Sequence, residues 1–197
     1  AGNVGTGTGS VTVDTTATDA PSITLDNDTG ISTDLITKDG NFSVTPNEST
    51  STIEYKVDGV WSTTPPVITE GNNTIEAREV DVAGNPSVAT TLTFTYDTTA
   101  PDVDVNDISL TNDATPALSG DVNDTTAKVV VTIDGTDYDA VNNGDGTWTL
   151  ADDVVASLDE GLTNVSVSAT DVAGNVGTGT GSVTVDTTAT DAPSITL

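Results

Sequence analysis

The 197-residue chain has no cysteine, no histidine and no methionine, and only four lysines and arginines. Each absence removes a class of chemistry. Without cysteine there is no disulfide, no thiolate metal site and no sulfur nucleophile. Without histidine there is no Ser-His-Asp triad, and general acid–base work and oxyanion stabilisation are hard to assemble, so no enzymatic activity is expected. Four cations cannot neutralise a row of phosphates, which argues against nucleic acid and against anionic membrane surfaces as partners. No stretch is apolar for 18 residues, so no membrane insertion is expected. No signal sequence is recognisable.

What is present is repetition. Residues 1–25 and 173–197 are the same 25 residues, AGNVGTGTGSVTVDTTATDAPSITL, at an offset of 172. Within that period Asp81-Val-Ala-Gly-Asn85 returns as Asp171-Val-Ala-Gly-Asn175, 90 residues later. Asp97-Thr-Thr-Ala-Pro101 has longer counterparts that open at Asp14 and Asp186 and end at Pro21 and Pro193. The proline that closes each copy removes a ladder donor and biases its predecessor to extended geometry, so each copy reads as a short, stiff joint. The expected organisation is module A over residues 20–97 and module B over 101–186. Residues 1–13 read as the last strand of a preceding module and 190–197 as the first strand of a following one, as in a window cut from a longer array.

Composition and pattern say all-β. Thr and Val suit a pleated, half-buried surface, and Gly, Asn and Asp suit turns. In module A, Ser22 to Leu25 alternate, and Phe42 and Val44 point inward. So do Ile53, Tyr55 and Val57, before Asp58-Gly59, a two-residue hairpin signal. Ile75 and Ala77 point in. The same parity points Glu79 inward where module B has Ala169, and Glu79 is expected to reach solvent at the sheet end, pair with a cation or serve as a ligand. Leu92, Phe94 and Tyr96 face the core from the last strand. Module B repeats the plan with Val129, Val131 and Ile133, the Asp134-Gly135 hairpin, and Val165, Val167 and Ala169. Its Asp-Gly to Asp-Val-Ala-Gly-Asn spacing is 14 residues longer, which reads as one extra hairpin from Tyr138 to Leu150. About seven short strands per module, with turns every 8–12 residues, predict two tandem immunoglobulin-like Greek-key β-sandwiches.

The Asp-Val-Ala-Gly-Asn turn, the terminal strand and the Asp-Thr-Thr-Ala-Pro joint together resemble the bacterial immunoglobulin-like (BIg) repeats of giant cell-surface adhesins. The resemblance covers essentially the whole chain. It implies an extender arm of a repeats-in-toxin (RTX) adhesin that acts in biofilm or host adhesion or ice binding. Such an arm is exported to the bacterial cell surface, binds Ca²⁺ at its module joints and holds a distal ligand-binding domain away from the cell. The chain departs from whole adhesins of this kind in having neither glycine-rich nonapeptide calcium repeats nor a recognisable ligand-binding domain. At roughly 40 Å per module, length itself would be the product.

The charge of −27 is carried by 25 Asp and 6 Glu, a bias toward turns and oxygen-ligand sites. Immunoglobulin topology sorts these carboxylates by joint. Asp14, Asp19 and Asp81 fall at the first joint. Asp26, Asp28, Asp34, Asp97, Asp102 and Asp171 fall at the middle one, and Asp107, Asp113, Asp186 and Asp191 at the last. Ca²⁺ takes six to eight oxygens in flexible geometry, and converging carboxylates repel without a cation. Each of these aspartates has an equally good reading as a turn former. Asp26-Asn-Asp-Thr-Gly30 opens like an EF-hand loop, but Gly comes one place early and Thr37 stands where the twelfth-position Glu belongs.

Trp61 and Trp148 are read as core or sheet cover, with a sugar-stacking platform as the alternative for a ligand-binding module. The Thr-X-Thr row at Thr91, Thr93 and Thr95 is read as ordinary outer-face threonine. The partners expected are neighbouring modules of the same chain, with a monomer in solution. Residues 4–13 are expected to be frayed or paired with another molecule by strand exchange, because an unpartnered strand seeks an edge.

Overall fold

A computed structural model of the chain describes residues 7–191, and among them every regular element is a β-strand. The strands are β1 (Ser22–Leu25), β2 (Ile36–Thr37), β3 (Phe42–Thr45), β4 (Thr52–Val57), β5 (Val60–Ser62), β6 (Gly71–Val80) and β7 (Thr90–Tyr96). They continue as β8 (Ile108–Thr111), β9 (Leu118–Asp121), β10 (Lys128–Ile133), β11 (Thr136–Asn142), β12 (Thr147–Leu150), β13 (Gly161–Thr170) and β14 (Val176–Val185). The architecture is the expected all-β, immunoglobulin-like sandwich. The chain divides into two compact units. The first takes in residues up to Asn27 and Asp39–Tyr96, and the second takes in Asp28–Lys38 and everything from Asp97 on.

In the first unit β1 pairs antiparallel with β3, from Ser22↔Thr45 to Leu25↔Phe42. Opposite it lies a sheet in the order β7-β6-β4-β5. The Asp58-Gly59 turn joins β4 to β5 with both residues at positive φ, 52° and 81°, the backbone that matches the right-handed twist of a tight hairpin. Alternation along β6 puts Asn73, Ile75, Ala77 and Glu79 on the buried face. Phe42 and Tyr55 meet edge to face at 6.2 Å.

Glu79 departs from the sequence reading. It is fully buried and has no cationic partner among the described residues; instead its carboxylate accepts from the amides of Asn47 and Glu48, both at 2.8 Å, and from the Ser51 hydroxyl at 2.5 Å. Parity put it inside correctly. The compensating donors come from the β3–β4 loop, which turns three donors toward it, and these hold the carboxyl below its usual range although burial pushes the other way.

The second unit is one seven-stranded sheet in the order β8-β14-β13-β10-β11-β12-β9, folded around a single core. The extra length is the β11–β12 hairpin, and β12 continues the pairing to β9. Trp148 on β12 sits opposite Gly120. Its ring is completely buried and its indole N–H donates to the Asp104 carbonyl at 2.8 Å. A β-carbon at Gly120 would stand 2.6 Å from the indole nitrogen, so glycine there makes room for the ring. Residues 7–21 carry no regular structure. Of the terminal strand readings, residues 1–6 and 192–197 lie outside the described residues.

Candidate functional site

The Asp-Val-Ala-Gly-Asn turn folds identically in both units. In the second, Asp171 closes it: its carboxylate accepts from the Asn175 amide at 2.8 Å and from the Asn175 side chain at 2.9 Å. Gly174, at φ 86°, donates to the Asp171 carbonyl. Asp81, Asn85 and Gly84 do the same in the first unit, with both Asp81–Asn85 contacts at 2.8 Å. These bonds hold the Asp81 carboxyl below its usual range.

The Asn at the end of each turn has a second task. Asn175 Nδ2 also donates to the Asp97 carbonyl at 2.9 Å, and Asn85 Nδ2 to the Asp14 carbonyl at 3.1 Å. Each unit thus grips the backbone of the aspartate that opens the linker before it. That aspartate is fixed by its own side chain too. Asp14, Asp97 and Asp186 each accept from the amide two residues on, Thr16, Thr99 and Thr188, at 3.0, 3.0 and 3.1 Å. This is the local bond by which Asp shapes a turn, and it gives the repeated Asp-Thr-Thr its physical reason.

The segment Asp28–Lys38 docks on the same turn of the second unit. The Ile31 amide donates to the Val172 carbonyl at 3.0 Å, the Thr29 hydroxyl to Ala173 at 2.6 Å, and the Lys38 ammonium to Gly174 at 2.5 Å. Gly30 lies so close that a β-carbon would stand 2.0 Å from the Val172 oxygen. Within the segment, Asp28 Oδ2 accepts from the amides of Thr33 at 2.7 Å and Leu35 at 3.3 Å. Thr33 and Leu35 are both held at positive φ, 87° and 61°, a conformation that a β-branched residue such as threonine or a bulky one such as leucine adopts only when its surroundings impose it. Asp28 Oδ1 is buried and has no hydrogen-bond partner. An ionised oxygen in that position is costly unless a cation meets it.

The sequence-predicted ligands are distributed as follows. Asp97 and Asp171 come together through Asn175 and line an open cavity of about 400 Å³ with Thr99, Pro101, Asn123 and Asp124. Asp14 and Asp81 come together through Asn85. Asp26 accepts from the Ser43 hydroxyl at 2.5 Å, and Asp34 from the Ile36 amide at 2.9 Å. Asp102 engages Asn123 through its backbone, while Asp107 accepts from Ser182 and Asp113 from Thr115. Asp19 and Asp191 are exposed. Among the described residues, no three acidic side chains lie close enough to hold a metal ion between them. A divalent ion at Asp28 would therefore draw its remaining ligands from carbonyls and water, which suits Ca²⁺. Sequence reasoning passed over Asn85, Asn175, Asn123 and Asp124. Asn85 and Asn175 were visible in the repeated turn, but only as turn formers.

Two further groups were singled out by sequence. Trp148 offers no ring face to a ligand. Trp61 is half-buried, with the Arg78 guanidinium 4.3 Å and the Lys56 ammonium 5.6 Å from its ring centre. Those cations are paired in turn with Glu54 and Glu76.

Residues 102–187 match the family model of a bacterial Ig-like domain. No curated protein matches the chain. Among solved structures it is similar to the fibronectin(III)-like modules of CbhA from Clostridium thermocellum, at 16% identity over 83% of this chain and 94% of that one, with a TM-score of 0.44. It is similar to a tetra-tandem repeat in the extending region of a large adhesion protein, at 24% identity over 70% of this chain and a TM-score of 0.41. A third is a Ca²⁺-stabilized adhesin with which an Antarctic bacterium binds ice, at 20% identity over 88% of this chain and a TM-score of 0.40. The aligned parts span 42% and 50% of those two adhesin chains.

Proposed function

We propose that the chain is a structural extender segment of a bacterial surface adhesin of the RTX type. It spaces a distal ligand-binding domain away from the cell, and Ca²⁺ stiffens its linkers. The observation that carries this reading is the linker clamp. Both units hold the backbone of the linker aspartate with the same asparagine, and the linker turns on its own Asp-Thr-Thr bond. A spacer needs joints fixed in the same way at each repeat, and this device repeats with the turn.

The calcium part rests on Asp28. Its loop is held by two strained amides, one of its carboxylate oxygens is buried without a partner, and the chain carries a net charge of −27. When bound, Ca²⁺ would supply the missing positive charge. Asp28 would be its carboxylate donor, and the linker and turn that carry Asp97 and Asp171 would be the elements it fixes. Sites of this charge and openness in extracellular modules bind at about 10⁻⁴–10⁻³ M, which suits a protein on the outside of the cell with neighbouring units of its own kind as its partners.

Small-angle scattering tests the reading. The largest dimension of the chain should increase, and its distribution narrow, from chelator to millimolar Ca²⁺, and Asp28→Asn should lose that response. Equal dimensions in both conditions would leave a flexible tether rather than a stiffened arm.

A further inference from the structure

Past the Asp97 linker, the first strand of the second unit is β8 and the last, before the Asp186 linker, is β14. The two lie side by side and run in parallel, with Val183 opposite Ile108 and Val185 opposite Thr111. Every other pairing in that seven-stranded sheet is antiparallel. β8 stands at the end of the sheet, so among the described residues β14 is the one strand it pairs with.

The contact continues beyond both strand ends. At one end the Asp186 amide donates to the Thr111 carbonyl at 2.8 Å. At the other, Asp107 Oδ1 accepts from the Ser182 amide at 2.7 Å and from the Ser182 hydroxyl at 3.2 Å. The carboxylate stands in for a strand carbonyl just before β8 begins, and a bond to an ionised acceptor is stronger than the neutral bonds beside it. The approach is close. A β-carbon at Gly181 would stand 3.0 Å from Asp107 Oδ1 and 2.8 Å from the Val105 side chain, so glycine there lets residues 105–107 lie against β14. Val183 and Val185 fix β14 in the core at 0% and 2% exposure, and Ile108 packs against the same core from β8.

Parallel pairing decides how this contact meets a pull. The Asp97 linker leads toward the start of β8, and the Asp186 linker leaves the end of β14. Drawing the two linkers apart slides the strands past each other in opposite directions, so the bonds between them are strained together and must fail together. Pulling from neighbouring ends opens the same bonds one at a time. We propose that the second unit is built to carry tension, with the β8–β14 contact as its mechanical clamp and Asp107 as the positioning residue that locks it. This goes beyond the extender reading and rests on it only for the source of the pull. Forced unfolding is governed by the unfolding rate, so the clamp sets how long the unit survives under tension.

Because the chain has no cysteine, single-molecule handles can be placed in the full chain at chosen pairs of exposed residues. Ala100→Cys with Thr188→Cys strains β8 and β14 in shear, whereas Asn112→Cys with Thr188→Cys grips adjacent strand ends and peels them. The unfolding force of the second unit should be several-fold higher in shear than in peeling, in chelator and in millimolar Ca²⁺ alike. Asp107→Ala should raise the unfolding rate at fixed shear force about tenfold or more, the factor for losing a hydrogen bond to a charged group. It should leave the peeling rate, which is set at the Thr111 end, unmoved. Asp107→Asn keeps an acceptor for the Ser182 amide and should restore most of the lost lifetime. The proposal is overturned if the two geometries give equal forces in either solution, or if Asp107→Ala changes shear and peeling alike or changes neither. A clamp found in both solutions, beside scattering dimensions that ignore Ca²⁺, would remove the calcium part of the extender reading and leave the clamp standing.

Discussion

Among the described residues, and leaving proline aside, three apolar side chains are buried in the first unit, Ile75, Ala77 and Phe94, against seventeen in the second, from Val103 to Val185. The first unit fills the difference with polar groups that satisfy one another. Glu79 gathers the β3–β4 loop, Asn73 holds Thr69 and Gly71 through its amide, and Ser87 accepts from the Glu79 amide. The second unit, with Ala169 in the place of Glu79, adds the β11–β12 hairpin and seals its core with Trp148. The turns and linker clamps are the same in both. Repetition therefore preserves the parts that join units, while the interiors diverge toward an apolar solution in one case and a hydrogen-bonded one in the other. Apolar burial scales with stability, so the two units should unfold separately, the first before the second.

The sharpest break of that comparison is Trp148→Ala. It should cost about 3–5 kcal/mol in the second unit and bring its transition down toward that of the first, read by calorimetry. Next is Glu79→Ala, which takes the acceptor from the part-buried amides of Asn47 and Glu48 and leaves an apolar stub where a buried carboxylate had organised the β3–β4 loop. At about 1–3 kcal/mol for an unsatisfied buried group, it should unfold the first unit while the second is unmoved. Denaturant titrations that follow Trp61 and Trp148 separately, each in a Phe background for the other, would show this.

Acid should widen the gap. The Glu79 and Asp81 carboxyls are held below their ordinary values of 4.5 and 3.8, so the stability they contribute is present above those values and is lost as pH falls through the folded ones. The first unit should lose stability below about pH 4.5, and Glu79→Gln should flatten that dependence. Asn175→Ala and Asn85→Ala should cost about 1 kcal/mol each and loosen the linker that each clamps, read by hydrogen exchange at Thr99 and Thr16.

The smallest effect concerns Asp152. Partial desolvation and then the charges of Asp113 and Asp153 hold its carboxyl above the usual range. Its contribution is therefore favourable only in acid and is lost as pH rises through the folded value. Asp152→Asn should raise the melting temperature of the second unit slightly at pH 7 and not at pH 3.

Much of the fold was legible because strand alternation and turn chemistry are local. The positions Val129, Val131, Ile133, Val165, Val167 and Ala169 were read inward from parity alone, and both Asp-Gly hairpins from their dipeptides. Less of the site was legible, because it depends on what a side chain meets far along the chain. Nothing around Asn175 indicates that its amide reaches the carbonyl of Asp97, 78 residues away. Nothing around Glu79 shows that the loop at residues 47–51 will supply three donors. The thirteen aspartates looked alike in sequence. The structure separates Asp28, with a buried oxygen left unmatched, from those such as Asp81 and Asp171 whose oxygens both accept from an asparagine.

Calorimetric unfolding in excess chelator, then in millimolar Ca²⁺ with Mg²⁺ as the control, tests the central claim most directly. Millimolar Ca²⁺ at ten times a dissociation constant of about 10⁻⁴ M stabilises by about 1.4 kcal/mol, so Ca²⁺ should raise the transition of the second unit, which contains Asp28, by a few degrees. Mg²⁺ should do little, and Asp28→Asn should remove the rise. Superimposable curves in chelator and in Ca²⁺ would contradict a calcium-stiffened extender and leave the aspartates as turn formers alone.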